Sequence, residues 1–448
     1  MEIINHQIPK EMEALIKEIQ AKYKDNHKLQ EIFEKAFINT YQTTIKKQED
    51  GTTFVITGDI DAMWNRDSAA QVRPMLNLVK QSKEIREIIL GVMQRHKEQI
   101  LYDPYANAHN LEPKKGDHAT DDLTNQKELV WERKYEIDSL CYPIELAYLY
   151  YKQTADSVNF DDKFLEVLKT IVKIFKIEQH HHEQSTYSFR RIADWLLFDY
   201  PERIPFETLN NHGKGAQVTY TGMTWSGFRP SDDACKYGYL IPANMFAHTI
   251  LGYMEEIISK FYQTETDFCQ EIDQLKNEIN MGIQKYGIID HPKYGKIYAY
   301  EVDGLGNYNL MDDANVPSLL SIPYLGYTTI NDPIYQNTRK FLLSEDNPYY
   351  YEGQVAKGIG SPHTPANHFW HIALAIQGMT TNDYQEKQDI LAMFLQTTGG
   401  TNLMHEGIDV DNPQNFTRPW FSWANSMFCE FILELNNISV TEWRNNEI

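Results

Sequence analysis

Apolar residues recur along most of the chain at steps of three and four. Over residues 11–23, Met12, Leu15, Ile16 and Ile19 fall on one side of a helix. Residues 29–44 repeat the pattern with Ile32, Phe33 and Phe37. The same period predicts helices over 69–79, 83–99, 137–153, 162–177, 244–262, 267–285, 365–376, 385–397 and 422–434. Strand-like runs are few and short, at 53–56, 187–190 and 297–302, and suit hairpins set in the loops. No Gly/Ser linker, low-complexity tract or short exact repeat divides the chain, so one domain over 1–448 is expected. Spread over twelve helices, the length leaves roughly 37 residues for each helix and its loop, which suits a toroid of helix pairs.

Composition narrows the partners. Lys and Arg number 42 against 63 Asp and Glu, a net charge of −21. That balance argues against nucleic acid, whose binding rests on clustered Lys and Arg, and against an anionic membrane surface. The four cysteines, Cys141, Cys235, Cys269 and Cys429, lie far apart without a C-x-x-C pair and read as reduced thiols. The first twenty residues lack the apolar run of a signal peptide, and no stretch approaches ~18 uncharged apolar residues. A soluble, cytoplasmic protein is expected, and the sequons at Asn415 and Asn437 then carry little weight. His180, His181 and His182 are set among Glu and Gln and read as a solvated turn, since adjacent histidines on a helix cannot all face one ion.

Candidate chemistry is concentrated in four loops. Thr57 to Ser68 packs three carboxylates, Arg66, Asn65 and Trp64 ahead of a helix. An Arg–Asp pair can stiffen such a loop, and Asp and Asn suit vicinal hydroxyls; the plainer reading makes Asp67 or Ser68 a helix cap. Thr224 to Ala234 brings Trp225 and Arg229 to the adjacent Asp232 and Asp233, a plausible acid site, because a carboxyl near apolar rings or a second carboxyl holds its proton. Its alternative is again an N-cap. Tyr308 to Pro317, with Asp312, Asp313 and Asn315, is a rival acid site. The last loop runs Gly399 to Gly407 and places Glu406 beside His405 as a candidate base, followed by Trp420 and Trp423. Together the loops offer carboxylates and indoles to a polyhydroxylated ligand. No P-loop, dinucleotide fingerprint, H-E-x-x-H or G-x-S-x-G is found in the chain.

The blocks D-I-D-A-M-W-N-R-D-S, T-W-S-G-F-R-P-S-D-D-A-C-K-Y-G-Y-L-I-P, D-D-A-N-V-P-S-L-L, G-I-G-S-P-H-T and H-E-G, in that order, resemble glycoside hydrolase family 125 from about Asp59 to Asn425. The resemblance implies an all-α (α/α)6 barrel with short β-hairpins in its loops. It also implies exo-removal of non-reducing-end mannose from α-1,6-linked mannosides, with inversion and without metal or cofactor. Carried onto this chain, the family's acid falls on Asp233, with Asp232 as the alternative, and its base on Glu406. Trp64, Arg66, Asp67, Trp225, Arg229, Asn315, His363 and Trp420 are the candidates to hold the sugar. A mannose-containing oligosaccharide is the expected partner; no oligomeric state is assigned. Competing readings are another glycosidase or a phosphorylase on the same barrel, a non-catalytic glycan-binding protein, and a sugar isomerase using His363, His368, His371 and His405.

Overall fold

A computed structural model describes residues 7–113 and 120–441; the expected domain limits of 1–448 extend beyond the described residues at both ends. The protein is mostly helical. Twelve helices of eight or more residues occur among the described residues: α1 (Lys10–Lys22), α2 (His27–Thr43), α3 (Asn65–Val72), α4 (Lys83–Tyr102), α5 (Asp138–Thr154), α6 (Asp162–Gln179), α7 (Ile241–Phe261), α8 (Thr266–Tyr286), α9 (Pro333–Leu342), α10 (His371–Met379), α11 (Tyr384–Gln396) and α12 (Ser422–Leu435). Several begin where a short polar side chain accepts from an early backbone N–H: Asn26 for α2, Ser82 for α4, Asp161 for α6, Asp332 for α9 and Asp383 for α11.

Two kinds of helix follow from two kinds of sequence. Amphipathic helices bury one stripe: α1 buries Met12, Leu15, Ile16 and Ile19, and α6 buries Phe164, Leu168, Ile171 and Phe175 among others. Others are buried on every side. All of α3 is inside, as is α12 from Ser422 through Leu433. The buried helices pack in succession, α12 on α3, α3 on α5 and α5 on α7, while α10 returns to α12. Near the N-terminus, α2 also packs on α12, so the two ends of the chain meet. A buried ion triad crosses this layer: Arg73 pairs with Glu145 on α5 and with Glu430 on α12, each at 2.8 Å. The main hydrophobic core runs from Met12 to Val440, and a small second cluster of Ala62, Trp64 and Ala108 lies apart from it. Among the described residues, seven antiparallel sheets of two or three short strands sit in the loops.

Several expectations shift. The helix expected over 69–79 begins at Asn65, and Pro74 converts its second half into a tighter 3-10 turn, Arg73–Leu78, because proline has no N–H for the i−4 bond. The segment 365–376 is helical only from His371; Asn367 takes a positive φ of 64°, and His368–Trp370 becomes a strand paired with Gly407–Asp409. The strand expected over 187–190 is Arg190–Arg191, and 297–302 is broken between Tyr298 and Glu301. Helix α9 was not signalled by the pattern. The histidine run is not a solvated turn: His181 is buried, bonded to Glu178 and to the Lys214 carbonyl, and stacked on Trp225 at 3.5 Å.

Candidate active site

A cavity of about 260 Å³ is walled by loops between the helices. Trp64, Arg66 and Asp67 enter it from the strand-to-helix junction at the start of α3. Ser231 and Asp232 come from the turn ahead of α7, Asn315 from the loop before the buried 318–325 turns, and His363 from the loop before the His368–Trp370 strand. Glu406, Arg418 and Trp423 complete the lining. Pairing of His368–Trp370 with Gly407–Asp409 holds His363 and Glu406 on adjoining backbones.

The neighbouring aspartates part company. Asp232 has a φ of 65°, a left-handed backbone that few non-glycine residues adopt. Its amide donates to the Arg229 carbonyl, and the Asp233 carbonyl accepts from the Arg229 amide, closing a tight turn. The turn throws Asp232 into the cavity with 26% of its side chain exposed, and drives Asp233 inward at 1%. Asp233 accepts from Arg203 Nη2 at 2.9 Å and meets His363 Nδ1 at 3.0 Å. It therefore sits behind the wall. Burial discourages charge on His363, yet Asp233 outweighs it, and the imidazole pKa is pushed up to about 9.

Asp232 is fixed from two sides. Asn107 Nδ2 donates to it at 3.2 Å, and Arg66 Nη2 approaches at 3.5 Å. Burial raises the Asp232 pKa, but Arg66 and Lys134 outweigh burial and hold the carboxyl below its ordinary value. The same guanidinium binds Glu136 at 2.6 Å, Asp138 at 3.0 Å and Asp67 at 3.3 Å. Asp67 is pushed up to about 6 by burial, against the pull of Arg66. At Glu406, Thr417 Oγ1 donates to Oε2 at 2.9 Å, and Arg418 Nη1 lies 3.7 Å from Oε1. Arg418 is itself held by Asp59, with Nε 3.1 Å from each carboxylate oxygen.

Of the residues expected from sequence, Trp64, Arg66, Asp67, Asn315, His363, Glu406 and Asp232 line the cavity; Asp233, Trp225, Arg229 and Trp420 do not. Trp225 is core. It fills a slot between glycines, where a Cβ on Gly238 would lie 2.2 Å from its Cδ1, and it stacks on His181. Arg229 is buried in an ion pair with Glu301 at 2.7 Å. Trp420 is half-buried beside the cavity, and its carbonyl accepts from the Asp59 amide. Within the rival acid block, Asp312 caps the backbone of Leu319 and Leu320, and Asp313 accepts from Ser231 at 2.8 Å. His371 and His405 are bonded to each other away from the cavity. Sequence reading missed Arg418, Trp370, Asn107, Glu136 and Asp138. The only signal for the last two is the run of charges from Glu132 to Asp138, directly before a helix too apolar to be exposed.

Three carboxyls, those of Asp67, Asp232 and Glu406, facing one sugar-sized cavity in a helical protein with its loops gathered round it, mark a glycoside hydrolase. The chain belongs to glycoside hydrolase family 125, the metal-independent alpha-mannosidases, whose family model matches residues 26–433. It is 38% identical over 449 residues to the meiotically up-regulated gene 157 protein of Schizosaccharomyces pombe, covering 95% of this chain and 86% of that protein. A Streptococcus pneumoniae metal-independent alpha mannosidase, solved in a non-productive complex with alpha-1,6-mannobiose, superposes with a TM-score of 0.92 at 45% identity over 96% of this chain and 99% of that one. A bacterial glucoamylase complexed with acarbose superposes at 0.57 with 10% identity, over 91% of this chain and 56% of that one; the likeness is one of fold alone.

Proposed function

We propose that the protein is an exo-acting, inverting mannosidase that releases terminal mannose from α-1,6-linked mannosides, with Asp232 as general acid and Glu406 as general base. The observation that carries this reading is the turn at Asp232, which presents one carboxyl to the cavity that Glu406 also lines, while its neighbour is locked in ion pairs. Inversion needs a proton donor at the leaving oxygen and a carboxylate that activates water on the opposite face. Thr417 occupies Oε2 of Glu406, which leaves Oε1 to accept from that water. A cavity of about 260 Å³ falls below the ~300–1,000 Å³ of drug-sized sites and suits a single ring, as exo action requires. Asp67, Arg66, Trp64 and Asn315 are placed to hold its hydroxyls.

Further support concerns the scaffold. The all-round burial of α3 and α12, and the packing of α2 against α12, fit an (α/α)6 barrel forming one catalytic domain. A cytoplasmic location is part of the proposal, supported by four cysteines standing as separate thiols. The phosphorylase reading is weakened because Arg66 and Arg418, the arginines of the wall, are committed to carboxylates. The test is incubation with α-1,6-, α-1,3- and α-1,2-mannobiose, following mannose release by NMR. Mannose appearing first as the β-anomer, from the α-1,6 substrate, is expected; α-mannose first would overturn inversion.

A further inference from the structure

Behind Asp232, one guanidinium is shared by four carboxyls. Arg66 lies within 2.6–3.5 Å of Asp67, Glu136, Asp138 and Asp232. The second cation nearby, Lys134, is turned to Glu132 and Glu207 at 3.4 and 3.3 Å. Ionising all four carboxyls would exceed the Arg66 charge by three, an excess that Lys134, His363 and Arg418 offset only in part from a distance, so at least one keeps its proton. Asp138 sits in the first turn of α5, where the helix N-terminus favours the anion. Asp67 has Arg66 as well as the cavity.

Glu136 is different. Its side chain is fully buried, does not line the cavity, and reaches the cavity through Arg66 and Asp232. Oε2 accepts from Arg66 at 2.6 Å and from Ser139 Oγ at 2.9 Å. Oε1 is buried and has no donor; Asp67 Oδ2 and Asp138 Oδ1 are equally bare, but it is Glu136 whose side chain meets Asp232 in a hydrogen bond. A carboxylate oxygen left bare in that position is costly, whereas a protonated Oε1 has the Asp232 carboxylate to donate to. The other groups facing the pair are His363 and Cys235, a cation toward Asp232 and a neutral thiol toward Glu136.

We propose that Glu136 is a positioning residue that shares one proton with Asp232 and passes it to Asp232 when the leaving oxygen of the glycoside arrives. This rests on the assignment of Asp232 as the acid, and it supplies what that assignment lacks, since Arg66 and Lys134 keep Asp232 ionised on its own. The balance is complete. The proton on Glu136 Oε1 moves to Asp232, and from there to the glycosidic oxygen as the C–O bond breaks. Glu406 takes a proton from water as the new C–O bond forms. After release, a proton from Glu406, by way of solvent, recharges the pair. Burial and the negative Asp232 both push the Glu136 pKa well above its ordinary value, against Arg66, in keeping with this order.

The experiment compares wild type with Glu136→Gln on α-1,6-mannobiose and on dinitrophenyl α-mannoside, whose leaving group departs without protonation. Glutamine keeps a donor toward Asp232 but cannot surrender a proton. Turnover of mannobiose is expected to fall by about 10²-fold or more, while the dinitrophenyl substrate changes less than about threefold. The alkaline limb of the kcat/KM profile should move to lower pH. Equal losses on both substrates with an unmoved limb would overturn the proposal and mark Glu136 as structural. Failure of wild type to cleave mannobiose, or full mannobiose activity in Asp232→Asn, would instead overturn the assigned reaction or the assigned acid. Infrared spectra of the ligand-free proteins give a reading independent of activity: buried Asp312, pushed up to about 8, contributes a neutral C=O stretch to both proteins, so the expected signal is one further neutral-carboxyl band at neutral pH that wild type has and Glu136→Gln lacks. A wild-type-minus-variant difference spectrum without that band also overturns the proposal.

Discussion

One left-handed residue decides which of two adjacent aspartates reaches the sugar. With Asp232 at a φ of 65°, its carboxyl enters the cavity and that of Asp233 is drawn to Arg203 and His363. Asp232→Asn and Glu406→Gln are expected to lower kcat on mannobiose by about 10²–10⁴-fold with the fold intact, as steady-state kinetics and circular dichroism would show. Asp233→Asn should act first on stability, with a loss of about 3 kcal/mol in denaturant unfolding, because it leaves two cations facing a neutral amide. The His363 pair also sets a pH dependence. Its pKa rises on folding from about 6.5 to about 9, so its contribution is complete below pH ~6.5 and is lost as pH climbs through ~9. With the ring partly solvated, that contribution is on the order of 2 kcal/mol. The loss should be visible as a falling midpoint in urea over that window, and His363→Gln should flatten it. Sequence alone could narrow the acid to the Asp232–Asp233 pair, since both stand in the same block. It could not separate them, because a single backbone dihedral interchanges the directions in which two consecutive side chains point.

At the scale of elements, the helices were legible where a period of 3.6 persists, as in α1, α2, α4, α6 and α8, and least so where burial is complete. A helix buried on all faces has no polar stripe to mark its ends, so α3 was placed four residues late. The strand His368–Trp370 was hidden for another reason. Its partner, Gly407–Asp409, is remote in sequence, and pairing between distant segments leaves no local signature. Trp225 shows the same limit for a single side chain. Its block resembles a sugar-binding loop, yet the glycines around it form a slot that the indole fills. Trp225→Ala should therefore cost about 3–5 kcal/mol of stability by urea titration, while the KM for mannobiose in the folded fraction stays within about twofold. A large rise in KM without loss of stability would place Trp225 back at the sugar.

Over the whole molecule, the long loops between helices carry the chemistry, and the buried helices beneath them hold it in place. Arg66 at the start of α3 and Trp423 at the start of α12 line the site, and Asp138 at the start of α5 holds Arg66 from behind. No helix among the described residues is long and apolar enough to cross a membrane. Within this frame the Arg66 guanidinium does what many carboxylate-rich sites leave to a divalent ion: it gathers Asp67, Glu136, Asp138 and Asp232 about one fixed positive charge. An arginine is covalently attached and keeps its charge across the working pH range. Prolonged dialysis against EDTA is therefore expected to leave the mannobiose rate unchanged, whereas Arg66→Lys, which offers a point charge in place of the planar fork, should lower it by more than about tenfold. The cation at the heart of this site is thus delivered by the ribosome, and its occupancy does not vary with the supply of calcium or zinc around the enzyme.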